Sequence, residues 1–257
     1  MFPNHNIIYQ YDGSFEALLC CIFESFQRKE TPVDIVVEEN FQMSLTPSRW
    51  IATDLEKAKR VVKGIQKNFT RKCQTFFHMS FLTCHPKKEW LMLCYVQMGF
   101  QYREKVLSLL THPVVGELHK AVKYLKNESH FMKEFIRFSD YDGMLVSKVH
   151  PNNIVLPMIQ RHFCNRYPNE SFLIFDESHH MALVHKPNRT NIFPLDSLKL
   201  FSTASEEKQY QKLWKQYYDT IGIEERYNPV CRRNHMPKRY WKYMTEFQII
   251  LDSQNGD

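Results

Sequence analysis

The chain has 257 residues, of which 43% are apolar and 24% are charged, and this composition is typical of a soluble globular protein. Only seven residues are glycine, which disfavours a glycine-rich phosphate loop or a flexible linker. Lysine and arginine outnumber aspartate and glutamate by 34 to 28, and the formal net charge of +6 is weak evidence for a polyanionic partner.

Neither a secretory signal nor a membrane span is predicted. The N-terminus lacks a basic stretch followed by an apolar run, and no apolar run is long enough to cross a bilayer. The seven cysteines are odd in number and include no CxxC pair, which is typical of a protein whose thiols stay reduced. The sequence therefore predicts a cytoplasmic protein without a membrane partner.

The chain opens with a predicted strand–helix–strand unit. Residues 7–11 and 33–38 are the strands, and the apolar residues between them recur at helical spacing. Ser14 or Asp12 is expected to cap the start of this helix.

A helical insertion, residues 51–110, is predicted within a single domain that covers residues 1–257. Its first helix places Arg60, Lys63 and Lys67 on one face. Helices built only for solubility usually alternate charge, so a run of cations without acids favours a functional basic face.

The pattern then changes to that of strands. Residues 135–138 and 144–149 predict one hairpin, residues 172–175 and 181–185 predict a second, and a helix that starts at Pro151 lies between them. This order predicts an α+β fold, with a small antiparallel sheet built from hairpins and helices packed on it.

A basic helical segment, residues 205–247, completes the predicted elements. Apolar residues follow helical spacing from Tyr210 to Ile221, and Pro237 is placed to open a further helix, KRYWKYM. The stretch 226–245 holds six cations and no acid.

These basic stretches predict a nucleic-acid surface, because lysine and arginine neutralise phosphates and aromatic rings stack on unpaired bases. Tyr240 or Trp241 is expected to stack. Solvated faces of ordinary helices would explain the same charge runs, and this alternative stays open. The predicted phosphate ligands are Arg60, Lys63, Lys67, Arg137, Arg161, Arg166, Arg226, Arg232, Arg233, Lys238 and Arg239.

Two residues are candidates for catalysis. Asp12 follows a strand at the turn into a helix, and its structural alternative is an N-cap or Asx-turn. His162 lies on an apolar helical stripe, where a hydrogen-bonded core histidine is the alternative. No zinc-type spacing and no common nucleotide or hydrolase motif is present, so no metal and no cofactor is predicted.

Five segments together carry a family resemblance. In chain order they are YDGSFEALL (11–19), FIRF (135–138), HPNNIVLPMIQRHFCNR (150–166), FLIFD (172–176) and LWKQYYDTIGIEERYNPVCRRNHMPKRYW (213–241). This ordered set resembles a bacterial family of unknown function that is labelled "probable DNA metabolism protein", over nearly the whole chain.

The resemblance implies a role in DNA repair or nucleic-acid modification. Members of that family are thought to accompany a radical-SAM protein, and related domains are fused to uracil-DNA-glycosylase-like domains. The chain has no cysteine trio for a radical-SAM cluster, so it would be the companion. The matched positions are Asp12, Gly13, Arg137, His162, Arg166, Arg226, Pro237 and Trp241.

Three hypotheses follow from the sequence. The first is a nucleic-acid-binding protein of DNA repair or base modification that accompanies a radical-SAM enzyme. The second is a glycosylase-like or nuclease-like DNA-repair enzyme with its own active site, in which Asp12 and His162 are the candidates. The third is a protein-interaction subunit whose basic faces contact an acidic protein.

Overall fold

A computed structural model describes residues 2–41, 45–199 and 205–247 of the chain. The chain divides into two compact units, Met1–Leu125 and Lys126–Asp257. In the described ranges, no helix combines the length and the apolar character that a membrane crossing requires.

The first unit is built on a three-stranded parallel sheet. Its strands are β1 (Asn4–Tyr11), β2 (Thr31–Val37) and β3 (Ser48–Trp50), and its helices are α1 (Phe15–Arg28), α2 (Leu55–Asn68), α3 (Arg71–Phe81) and α4 (Lys88–Tyr102), with 3-10 turns at Glu38–Asn40 and Arg103–Ser108. Strand β1 is central and pairs in parallel with β2 on one side and with β3 on the other. A parallel pair needs a crossover connection, which α1 provides between β1 and β2.

Helix α4 is the most deeply buried element of this unit. All residues from Leu91 to Gly99 are buried, which explains why the helix is apolar on every side. Gly99 allows the ring of Phe69 to pack directly against the backbone of α4. A Cβ atom at this position would lie 2.2 Å from Cζ of Phe69.

The second unit is built on a five-stranded mixed sheet. Helix α5 (Pro113–Phe135) leads into it, followed by β4 (Ser139–Tyr141), β5 (Met144–Val149), α6 (Leu156–Arg166), β6 (Ser171–Asp176), β7 (Met181–Lys186), β8 (Arg189–Pro194), α7 (Ser205–Thr220) and α8 (Pro229–His235), with 3-10 turns at Glu224–Arg226 and Lys238–Tyr243. The strands lie in chain order, and β5 and β6 are parallel while the other neighbours are antiparallel.

The predicted α+β class is confirmed, and so is the opening strand–helix–strand unit. The prediction of a purely antiparallel sheet is wrong, because β1 pairs in parallel with both of its neighbours and β5 pairs in parallel with β6. In β1–β2 and in β5–β6, a helix connects the two strands and carries the chain back to the edge of the sheet where the first strand began. The second strand then runs in the same direction as the first, which makes the pair parallel.

Three details of the secondary structure differ from the prediction. Residues 135–138 do not form a strand, since Phe135 ends α5 and the hairpin begins at Ser139. Strand β8 was not predicted. The sequence KRYWKY forms 3-10 turns and not an α-helix, with Pro237 just before them.

Candidate nucleic-acid interface

Helix α2 starts at a side-chain cap and buries one face. The Oδ1 atom of Asp54 accepts hydrogen bonds from the backbone N–H groups of Glu56, at 2.9 Å, and of Lys57, at 3.1 Å. Ala58 and Ile65 are buried in the core of the first unit. The opposite side of α2 is therefore left to solvent.

Arg60, Lys63 and Lys67 lie on this solvent side and are all exposed. We call these three residues the basic face. The guanidinium of Arg60 lies 4.9 Å from the ring centroid of Phe23. Across residues 2–41, 45–199 and 205–247, no carboxylate forms a salt bridge with any residue of the basic face.

Other cations near the start of α2 are neutralised. Lys57 contacts a carboxylate oxygen of Glu24 at 2.8 Å, and Lys59 contacts Glu56 at 2.8 Å. Arg28 approaches the second oxygen of Glu24 at 3.2 Å. Among the cations of α2, Lys57 and Lys59 therefore pair with acids, whereas no acid in the described part of the chain pairs with the basic face.

The two aromatic rings that were expected to stack on bases are engaged within the protein. Tyr240 is only 6% exposed, and its ring packs 5.9 Å from that of Phe131 and 5.7 Å from that of Phe135. Trp241 is stacked on Phe247 with ring centroids 4.4 Å apart. Both rings therefore contribute to the packing of the second unit.

Two of the predicted phosphate ligands pair with buried acids. Arg239 lies 3.1 Å from Glu128, and Arg137 lies 2.8 Å from Glu246. Both carboxylates are 1% exposed, so each arginine compensates a charge that water does not reach. Neither pair could be inferred from the sequence, because more than a hundred residues separate the partners.

Arg232 is held among aromatic rings. Its guanidinium lies 5.3 Å from the ring centroid of Tyr227, 5.1 Å from that of Trp241 and 5.7 Å from that of Phe247. With three rings around it and its Nε atom buried, the guanidinium of Arg232 is less available to a phosphate than that of the exposed Arg60. The remaining predicted ligands of the second unit are exposed, namely Arg161, Arg166, Arg226, Arg233 and Lys238.

Asp12 follows β1 and organises the turn into α1. Its Oδ1 atom accepts the N–H of Ser14 at 2.8 Å, and its Oδ2 atom accepts the hydroxyl of Thr53. These hydrogen bonds from Ser14 and Thr53 lower the pKa of Asp12 below its ordinary value. Ser14 itself caps α1, so Asp12 forms the Asx-turn that was its structural alternative.

His162 lies in the second unit, whereas Asp12 lies in the first. Its Nε2 atom is buried and forms no hydrogen bond with the described residues. Loss of solvent lowers the pKa of His162, and the positive charges of Lys133 and Arg166 add to this effect. The ring is therefore neutral at physiological pH. Within the described ranges, no three His, Cys, Asp or Glu side chains are grouped so that they could hold a metal ion.

Comparison with known proteins identifies a family but does not indicate an activity. A search of curated proteins finds no match. The model of DUF4130, a domain of unknown function, matches residues 86–246, which is more than half of the chain. The chain therefore belongs to the DUF4130 family.

Proposed function

We propose that this protein binds nucleic acid and that the basic face holds phosphates of the bound strand. The observation that carries this proposal is that Arg60, Lys63 and Lys67 share one exposed side of α2 and form no salt bridge with any residue that the structure describes.

The arrangement has an energetic cost in the free protein. Arg60 and Lys63 are three residues apart and Lys63 and Lys67 are four apart, which are the spacings at which like charges repel on a helix. Elsewhere around α2, Glu24 and Glu56 neutralise Lys57 and Lys59. A bound polyanion would remove the remaining repulsion and release counterions from its phosphates.

The biological setting is a finer part of the same proposal. The family resemblance suggests DNA repair or base modification in the cytoplasm, beside a radical-SAM protein. DUF4130 is a domain of unknown function, so this setting rests on the resemblance alone.

The test is binding to labelled single-stranded and duplex DNA by a variant of the basic face, R60A/K63A/K67A. If all three residues contact phosphates, counterion release predicts an affinity loss of about 100-fold at 0.1 M salt. The matched control is K120A/K123A/K126A, which removes the same charge from exposed positions on α5.

The control should bind as the wild type does. Equal affinity for the wild type and the basic-face variant would contradict the proposal. An equal loss in both variants would show that net charge matters and that the basic face does not.

A second function, docking of another protein, is favoured by α7. Its apolar stripe consists of Tyr210, Leu213, Trp214 and Tyr217 and continues to Ile221 just beyond the helix, yet each of these residues is between 40% and 68% exposed. Two side chains hold the helix: Gln211 donates a hydrogen bond to Ser139 at 3.2 Å, and the indole N–H of Trp214 donates one to Glu246 at 3.1 Å.

This second function predicts a complex that survives nuclease treatment and is lost in Leu213→Glu. Nucleic-acid binding alone predicts that nuclease dissociates every complex of the wild type. Size-exclusion chromatography before and after nuclease treatment separates the two outcomes.

A further inference from the structure

An open pocket of about 840 Å³ lies in the first unit, lined by residues from α1, β3 and the start of α2. This volume is within the range of sites that hold small ligands. Trp50, the last residue of β3, lines the pocket and is 47% exposed. Tryptophan is highly buried on average, so a half-exposed indole beside a pocket is a notable surface feature.

The pocket wall carries charges of both signs, with the cations Arg28, Arg49 and Lys57 and the acids Glu24 and Asp54. Arg28 and Lys57 both line it and share one carboxylate, that of Glu24. Burial by itself would raise the pKa of Glu24, but hydrogen bonds from Lys57 and Arg28 and their charges hold it below its ordinary value. Since Arg49 pairs with Glu30 and Asp54 is a second acid in the lining, the pocket is close to neutral, and the positive charge for a strand beside Trp50 comes from the basic face that follows Lys57 along α2.

The pocket and the basic face lie along one helix. Lys57 lines the pocket, Arg60 follows one turn later, and Lys63 and Lys67 continue along α2. At 1.5 Å of rise per residue, the cations from Lys57 to Lys67 extend over about 15 Å.

We propose that Trp50 stacks on an unpaired base of a single strand whose neighbouring phosphates lie along the basic face. This inference rests on the proposed function and adds the class of ligand, a nucleic acid with at least one base outside a duplex. Aromatic rings stack on the exposed faces of unpaired bases, whereas bases inside a duplex already stack on each other.

Trp50 differs in this respect from the two rings that the sequence suggested. Tyr240 is buried and Trp241 is stacked on Phe247, while about half of Trp50 is open to solvent beside cations. The site therefore combines the two parts that a single-strand surface needs, a stacking ring and a row of positive charge.

The test compares a labelled single strand with the same strand carrying one abasic position, for the wild type and for Trp50→Ala. The wild type should bind the intact strand roughly tenfold more tightly than the best-placed abasic strand, because one base–aromatic contact is lost. Trp50→Ala should bind intact and abasic strands alike, and Trp50→Phe should restore most of the difference. Tyr124→Ala, which removes an exposed aromatic ring from α5, should behave as the wild type does.

The outcomes separate this inference from the proposed function. If Trp50→Ala retains the wild-type preference for the intact strand while R60A/K63A/K67A loses affinity, the basic face is supported and the role of Trp50 is refuted. If the wild type binds neither strand at low salt, both are refuted. Tight binding of a mononucleotide by the wild type, with no gain from a longer strand, would assign the pocket to a small ligand and refute the single-strand inference. Thermal unfolding of each variant shows that a loss of binding is not a loss of fold.

Discussion

Replacement of Glu128 by glutamine should strongly destabilise the second unit. Glu128 is 1% exposed, and its two carboxylate oxygens accept at least four hydrogen bonds or ionic contacts. One oxygen receives the N–H of Asn152 at 3.0 Å and Arg239 at 3.1 Å. The other receives the N–H of Asn153 at 2.8 Å and its side-chain amide at 2.6 Å.

A glutamine side chain has one acceptor oxygen and one donor nitrogen, so it cannot satisfy both sides of this arrangement. In either orientation its NH₂ group faces two donors, and Arg239 loses its counter-charge. Each unsatisfied buried group costs about 1–3 kcal/mol, so we expect Glu128→Gln to cost about 3 kcal/mol. This corresponds to a fall in Tm of roughly 10 °C.

The assay is thermal and urea unfolding followed by circular dichroism, with Glu134→Gln as the control on an exposed acid of the same helix. Arg239→Met leaves the buried carboxylate of Glu128 without its counter-charge and should cost about 3–5 kcal/mol. If Glu128→Gln unfolds within 1 °C of the wild type, the structural interpretation of this cluster is wrong. If Arg239→Met leaves stability unchanged but weakens DNA binding, Arg239 is a phosphate ligand as the sequence predicted.

Three further predictions concern Gly99, His162 and Asp12. Gly99→Ala should cost about 1–3 kcal/mol, seen as a lower Tm, because the new methyl group overlaps Phe69, and an unchanged Tm would contradict this packing. The pKa of His162 is lower in the folded protein than in the unfolded chain, so as the pH falls the imidazole is protonated first in the unfolded chain. The free energy of unfolding of the wild type should therefore decrease relative to that of His162→Gln below pH 6.5. Parallel curves of stability against pH for the two proteins would refute this. Asp12→Ala removes the acceptor of the hydrogen bonds from Ser14 and Thr53 and should cost about 1 kcal/mol at pH 7. This difference should shrink as the pH falls through the lowered pKa of Asp12, below 3.8. A loss of some DNA-directed turnover by Asp12→Ala without loss of stability would instead support a catalytic role.

The local elements could be predicted from the sequence, but the direction of strand pairing could not. Apolar periodicity indicated β1, α1 and β2, because one face of each element is buried. The same periodicity does not say which strand lies beside which, and the parallel pairing of β5 with β6 was missed although α6 connects them. A helix between two strands is the one local cue for a parallel pair.

Periodicity also does not say what covers an apolar face. The spacing of the apolar residues on α7 was predicted correctly, but in the structure Leu213 and Tyr217 are exposed. The burial of this stripe could not be inferred from the sequence, because the contacts of α7, such as those of Gln211 with Ser139 and of Trp214 with Glu246, join residues that are far apart in the chain.

Only those parts of the candidate site that depend on residues close together in the chain could be predicted from the sequence. The basic face follows from helical spacing alone, so Arg60, Lys63 and Lys67 could be identified from the sequence. The acid that neutralises Arg137 lies 109 residues away, and nothing in the sequence couples the two. Trp50 was missed because its exposure depends on the pocket beside it and not on its neighbours in the chain.

The salt dependence of DNA binding tests the central claim most directly. For a single strand, each phosphate contact contributes about 0.7 to the slope of log K against log salt, so the three cations of the basic face together contribute about 2. Between 50 and 200 mM salt, the wild type should lose about 20-fold more affinity than R60A/K63A/K67A loses. Identical slopes for the two proteins, or binding by the wild type that does not change with salt, would contradict a phosphate-binding role for the basic face.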